Sequence, residues 1–125
     1  MIQQIIIDTD GGIDDQLALL VAVGSHEVEI LGVTTVSGAV SADIAAENVL
    51  TVLEMAHCLR PVYIGTSRPI LRMPHPTPQA HGERGMGKVE GMITSLKAEL
   101  THAVEFMIET VKAHPGLTIL TLGPL

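Results

Sequence analysis

Four aspartates, Asp8, Asp10, Asp14 and Asp15, fall within eight residues around a Gly11-Gly12 pair, directly behind the apolar run Ile5-Ile6-Ile7. Carboxylates packed this closely repel one another unless positive charge lies between them. All of their donor atoms are hard oxygens, so the fitting partner is a divalent cation such as Ca²⁺ or Mg²⁺. A single Asp ahead of a helix is ordinarily a cap, and Asp in a first helical turn is common. Capping accounts for two of the four. The set as a whole reads as a metal or catalytic site.

The flanking residues say how such a site would be held. Ile2 to Asp8 reads as a buried strand, Gly11-Gly12 as a tight turn, and Asp14 to Val23 as a helix stopped by Gly24. Ile13, Leu17, Leu20 and Val21 mark one apolar face of that helix, with Asp14 and Asp15 in its first turn. Val28 to Val36 is a β-branched second strand. Ser41 can cap a second helix carrying Ile44, Ala45, Val49, Val52, Leu53 and Ala56 on a helical period. Pro61 to Ile64 is a short third strand. Leu96, Leu100, Ala103, Val104, Met107, Ile108 and Val111 predict a further helix closed by His114-Pro115-Gly116, and Leu117 to Leu122 a fourth strand. Strand–helix alternation of this kind predicts an α/β fold: an open, mostly parallel, Rossmann-like sheet with helices on both faces and ligands at the carboxyl ends of its strands. Residues 65–94 form a Pro-, Gly- and His-rich stretch too long for an ordinary connection.

Bulk properties narrow the functions. The chain has 125 residues, enough for one domain with a core, and 46% of them are hydrophobic. Tyr63 and Phe106 are the only Tyr and Phe and Trp is absent, which argues against base-stacking platforms. A formal net charge of −7 without a basic stripe argues against a nucleic-acid partner. Cys58 is the only cysteine, so no internal disulfide forms, and the chain reads as cytoplasmic. No apolar run reaches membrane-spanning length. A buried strand that stops at Gly123-Pro124-Leu125 leaves a sheet edge for another chain to cover, which predicts a homo-oligomer and an N-terminal portion of a larger fold.

With these residues in view, the chain resembles the inosine–uridine preferring nucleoside hydrolases. Asp8-Thr9-Asp10-Gly11-Gly12-Ile13-Asp14-Asp15 is similar to that family's aspartate signature, with Gly12 where the family usually has Pro. The likeness continues through Gly32 to Gly38, Ala45, Asn48, Pro61 to Gly65, His81-Gly82 and Leu122 to Leu125. The resemblance implies the nucleoside hydrolase fold over 1–125, truncated. It further implies hydrolysis of the N-glycosidic bond of a ribonucleoside to ribose and a free base for salvage. Asp10 would bind Ca²⁺ and act as general base on the attacking water, Asp15 and the Leu122 carbonyl would be further Ca²⁺ ligands, and Asp14 would hydrogen-bond the ribose. Asp8 would orient the turn from behind, and His81 would touch the leaving base. The chemistry suits the residue types, because glycosidic cleavage develops oxocarbenium character and needs an activated water. One departure bears on the substrate: the family usually has Asn after the glycine matching Gly38, and here it is Ala39.

Other signals are weaker. Gly82 to Lys88 has the spacing of a phosphate-binding loop, but Val89 follows where Ser or Thr belongs and no strand precedes, so it reads as a flexible glycine-rich loop. Met86, Met92 and Met107 read as packing residues. Asp8-Thr9-Asp10 also resembles the nucleophile motif of haloacid-dehalogenase phosphatases, although Gly12 and the Asp14-Asp15 pair depart from it. A third reading is a non-catalytic metal-binding or oligomerising remnant, favoured by Ala39.

Overall fold

A computed structural model of the chain describes residues 1–75, 77–89 and 94–124. Strands and helices alternate as β1 (Gln3–Thr9), α1 (Ile13–Gly24), β2 (Val28–Thr35), α2 (Ala42–Met55), β3 (Val62–Ile64), α3 (Pro78–His81), α4 (Ala103–Ala113) and β4 (Thr118–Thr121). The sheet order is β3-β2-β1-β4, and every pairing is parallel.

Period-two alternation along β1 sends its side chains to two covered faces. Ile5 and Ile7 join Leu19, Ile30, Val33, Val49 and Leu53 in the core under α1 and α2. Gly32 opens on the opposite face, where the Phe106 ring of α4 lies so close that a Cβ would meet it at 2.6 Å. Phe106 stacks on Tyr63 of β3, with ring centroids 3.8 Å apart. Helices therefore cover both faces, as a parallel sheet requires.

This order puts a topological switch at β1. One connection leaves β1 for β2, while β4 docks on the other side. Ligands of open α/β sheets bind in the crevice outside such a reversal. The tip of β1, where the aspartates stand, is that place. At the sheet's β4 edge every residue of the strand is exposed, including Ile119 and Leu120.

Four details differ from the reading of the sequence. The apolar stripe of α1 is exposed, with Leu17 at 62% and Val21 at 74%, and the buried face is Asp15, Gln16 and Leu19. The inward side also packs Ala22 and Val23 on the core, and Asp15 accepts from the strand tip. The last helix starts at Ala103, not near Leu96. The backbone N–H of Glu99 donates to the Val62 carbonyl at 2.8 Å, which holds that segment against β3. His102 then caps the helix, its Nδ1 accepting from the Val104 amide. Within the long stretch, Pro78–His81 forms a helical turn that the sequence did not announce. Gly82 to Lys88 is a hydrogen-bonded knot rather than a loose loop, with Gly85 buried. Met86 packs on the core and Met107 is half-buried; Met92 lies outside the described residues.

Candidate active site

The tip of β1 is held from both sides by backbone. The Val36 amide donates to the Thr9 carbonyl at 3.0 Å, and the Leu122 and Gly123 amides both donate to the Asp8 carbonyl, at 2.8 and 3.2 Å. The residues after β2 and after β4 thus meet where β1 ends. Leu122 is placed beside Asp8 to Asp10 by that pairing.

The chain then turns sharply. Gly11 has φ +77°, a left-handed conformation, and a Cβ there would run into Ala45 of α2 at 2.5 Å. Only glycine meets both conditions. The Gly11 amide donates to Thr9 Oγ1 at 3.0 Å, and Thr9 Oγ1 in turn donates to Asp15 Oδ2 at 2.6 Å. The Asp10 amide donates to the same Asp15 oxygen at 3.2 Å. The Asp10 carboxylate lies close to that of Asp15 but is held by backbone amides. Its Oδ2 accepts from the Ala39 amide at 2.9 Å and its Oδ1 from the Gly12 amide at 3.3 Å. Ala39 therefore serves through its backbone, and its buried methyl group offers no polar contact.

The aspartates are thus sorted by environment. Burial pushes the Asp15 carboxyl above its usual range, opposed by the Thr9 hydrogen bond and reinforced by the neighbouring Asp10 charge. Asp8 is raised as well, again by burial first, against the hydrogen bond from Thr34. The Asp8 carboxylate accepts from Thr34 Oγ1 at 2.6 Å and so ties β1 to β2. The hydrogen bonds that shape the turn come from Thr9, a residue the sequence reading passed over. A hydroxyl between two aspartates was the signal that could have found it.

Asp14 stands apart, with its side chain 77% exposed in the first turn of α1. Its neighbour is His81, whose Nδ1 is 3.6 Å from Asp14 Oδ1. That is beyond hydrogen-bond length, and the buried Nδ1 has no other partner among the described residues. The His81 ring lies over Gly12, where a Cβ would meet Nδ1 and Cε1 at 3.1 Å. Gly12 has φ −67°, which proline would accept, so its bareness matters for His81 rather than for the backbone. Asn48 of α2 joins the two halves, its Nδ2 donating to the Gly11 and Arg84 carbonyls at 3.1 and 2.6 Å.

The fold thus brings together Asp8, Asp10, Asp15 and Leu122 at the tip of β1, with Asp14 and His81 at its rim. As a cation site the donors are of the right kind. Asp15 takes both of its hydrogen bonds on Oδ2, so Oδ1 carries none from the described residues. Among the described residues no three His, Cys, Asp or Glu side chains converge as a metal cage. Asp10 and Asp15 would supply two carboxylates, and Ca²⁺, which takes six to eight oxygens, would need further ones from backbone, water or substrate.

Comparison with known proteins agrees with this fold. The family model described as inosine-uridine preferring nucleoside hydrolase matches residues 5–125. Uridine nucleosidase 1 of Arabidopsis thaliana is 44% identical over 126 residues, covering 98% of this chain and 38% of the relative. Among solved structures, the plant nucleoside hydrolase PpNRh1 superposes with a TM-score of 0.91 at 32% identity, covering 98% of this chain and 40% of that one. The purine-preferring ribonucleoside hydrolase from Gardnerella vaginalis gives 0.90 at 33% identity, with the same coverage. The chain spans about 40% of the length of the proteins it matches.

Proposed function

This chain belongs to the inosine-uridine preferring nucleoside hydrolase family, and from that premise we propose that it carries the water-activating half of a Ca²⁺-dependent ribonucleoside hydrolase. The family assignment sets aside the phosphatase reading of Asp8-Thr9-Asp10. The observation that carries the proposal is the posture of Asp10: its carboxylate is held by the Ala39 and Gly12 amides, beside the buried Asp15, at the switch point of the sheet.

Asp10 acts as the general base, taking the proton of the attacking water at a carboxylate oxygen. Its two amide donors fix the carboxylate's direction, so little is lost to reorganisation when the proton moves. Asp10, Asp15 and the Leu122 carbonyl would hold Ca²⁺, which when bound acidifies water and binds vicinal hydroxyls. Asp14, exposed at the rim, accepts hydrogen bonds from the ribose. His81, seated over Gly12, faces the leaving base. As the bond to the base breaks, positive charge develops on the sugar ring and the anionic pocket stabilises it.

The substrate class is a ribonucleoside, and the products, ribose and a free base, suit salvage. The similar proteins are named for uridine in one case and purines in another, so the base preference is left open. The lone, half-buried Cys58 supports a cytoplasmic setting, and among the described residues no helix is long and apolar enough to cross a membrane.

The test is ribose release from inosine and uridine by the chain, with Ca²⁺ and with chelator. Release that needs the ion and falls about 10²–10⁴-fold in Asp10→Asn supports the reading. Calcium binding without turnover would instead support a non-catalytic metal-binding module.

A further inference from the structure

We propose that Asn48 is a positioning residue that couples the His81 loop to the aspartate turn, so that one buried carboxamide aligns both halves of the nucleoside-facing surface. The proposal rests on the function proposed above for that surface. Asn48 is 4% exposed and lies in the middle of α2, outside the acidic cluster. Its Nδ2 donates to the Gly11 carbonyl at the turn, at 3.1 Å, and to the Arg84 carbonyl of the loop, at 2.6 Å. A carboxamide nitrogen carries two hydrogens in a fixed plane, so both bonds form only when the two carbonyls keep one relative position.

The seam between the two segments is built of bare Cα atoms. Gly85 is buried with φ +75°, and a Cβ on it would stand 2.9 Å from the Gly11 carbonyl oxygen and 3.2 Å from Asn48 Nδ2. Gly12 makes the same allowance for the His81 ring. Inside the loop, the Gly87 amide donates to the His81 carbonyl at 2.8 Å and the Gly85 amide to the Gly82 carbonyl at 3.1 Å. Fixing Arg84 by its backbone therefore fixes His81. The outer tie, Arg84 to Glu47, joins side chains that are half exposed, where an ion pair contributes little. The buried amide is the stronger link, because losing it leaves carbonyl oxygens without their donor.

Hydrogen exchange on the full chain tests this, comparing the unmodified protein with Asn48→Ala, Gly85→Ala and Arg84→Ala. In Asn48→Ala, amides in 82–89 and in 10–13 lose protection together, by about tenfold, as expected for one lost buried hydrogen bond. Segments 28–35 and 42–55 keep theirs. Gly85→Ala, which intrudes from the loop side, gives the same paired loss and decides the matter if Asn48→Ala does not fold. Arg84→Ala keeps the backbone carbonyl and changes neither segment. If 10–13 keeps its protection when the loop is loosened, or if Arg84→Ala reproduces the effect, the coupling is wrong. In a second arm, Asn48→Ala raises KM for inosine or uridine about tenfold, with kcat changed less. A paired loss with unchanged KM removes the positioning role. No turnover by the unmodified chain counts against the nucleoside reading alone.

Discussion

Thr9 Oγ1 donates to Asp15 Oδ2 at 2.6 Å, so a neutral hydroxyl, and not a cation from the protein, holds the buried carboxylate of the aspartate turn. The same oxygen accepts from the Gly11 amide. One side chain thus couples the strand's last residue, the left-handed glycine and the first turn of α1. Thr9→Val keeps the shape and removes both bonds. It is expected to cost about 1–3 kcal/mol, because a buried carboxylate oxygen and an amide both lose a partner. Urea unfolding measures it, and Thr9→Ser, which restores the hydroxyl, should recover most of the loss. Equal stability of the Val and Ser variants would contradict the assignment.

Stability should also follow pH in a direction set by Asp8 and Asp15. Burial raises both carboxyls above the usual 3.8. The folded chain therefore binds these protons more tightly than the unfolded chain does. Their contribution to stability is fully present below the unfolded value and is lost as pH rises through the raised folded values. In chelator, the urea midpoint is expected to be higher at mildly acid pH than at pH 8. Asp8→Asn, which still accepts from Thr34, should flatten that slope. Adding Ca²⁺ favours the ionised carboxylates and should move the optimum upward. A midpoint that climbs steadily from acid to pH 8 in chelator would refute the sign.

Gly38 sets how close the chain after β2 comes to the Asp10 carboxylate. A Cβ on Gly38 would overlap Asp10 Oδ2 and Cβ. Gly38→Ala must push Asp10 off the Ala39 amide or move the backbone. The overpacking is expected to cost about 1–3 kcal/mol. The proposed hydrolysis should fall about 10²-fold, as when a reacting group is misplaced by an ångström. Thermal melts and ribose release, run side by side, separate the two effects.

The outward stripe of α1 makes a contrary prediction for large apolar residues. Leu17 and Val21 are 62% and 74% exposed. Leu17→Lys and Val21→Glu should each leave the stability within about 0.5 kcal/mol, where core leucines would cost several times more. Urea unfolding of each variant beside the unmodified chain measures this. A loss of 2 kcal/mol or more, on the scale of a core truncation, would mean that this face is covered in solution.

Local chemistry was enough to read most of the architecture. β-branched and apolar runs bounded by Gly and Pro announce β1, β2, β3 and β4 to within about two residues, because a short run of this kind between turn formers suits a strand better than a helix. Ser41 announces the start of α2, and its Oγ does accept from the Ile44 amide. The aspartates announce a polar site, since no ordinary helix start needs four of them.

What lay beyond the sequence depended on contacts between distant segments. Apolar spacing assigned α1 a buried stripe of Leu17, Leu20 and Val21, but the helix instead turns Asp15, Gln16 and Leu19 inward, with Ala22 and Val23 on the core. Helical spacing carried the last helix back to Leu96, but pairing of Glu99 with Val62 intercepts it. The glycines of the 82–87 knot read as freedom, and only the packed structure reveals Gly85 as clearance for Gly11 and Asn48. Residue types dictate which groups can do chemistry. Which oxygen faces which donor is decided by strand order and by close approach of backbones, because the bonds from Thr34 to Asp8, from Ala39 to Asp10 and from Asn48 to Arg84, at 2.6–2.9 Å, join partners that lie far apart in the chain.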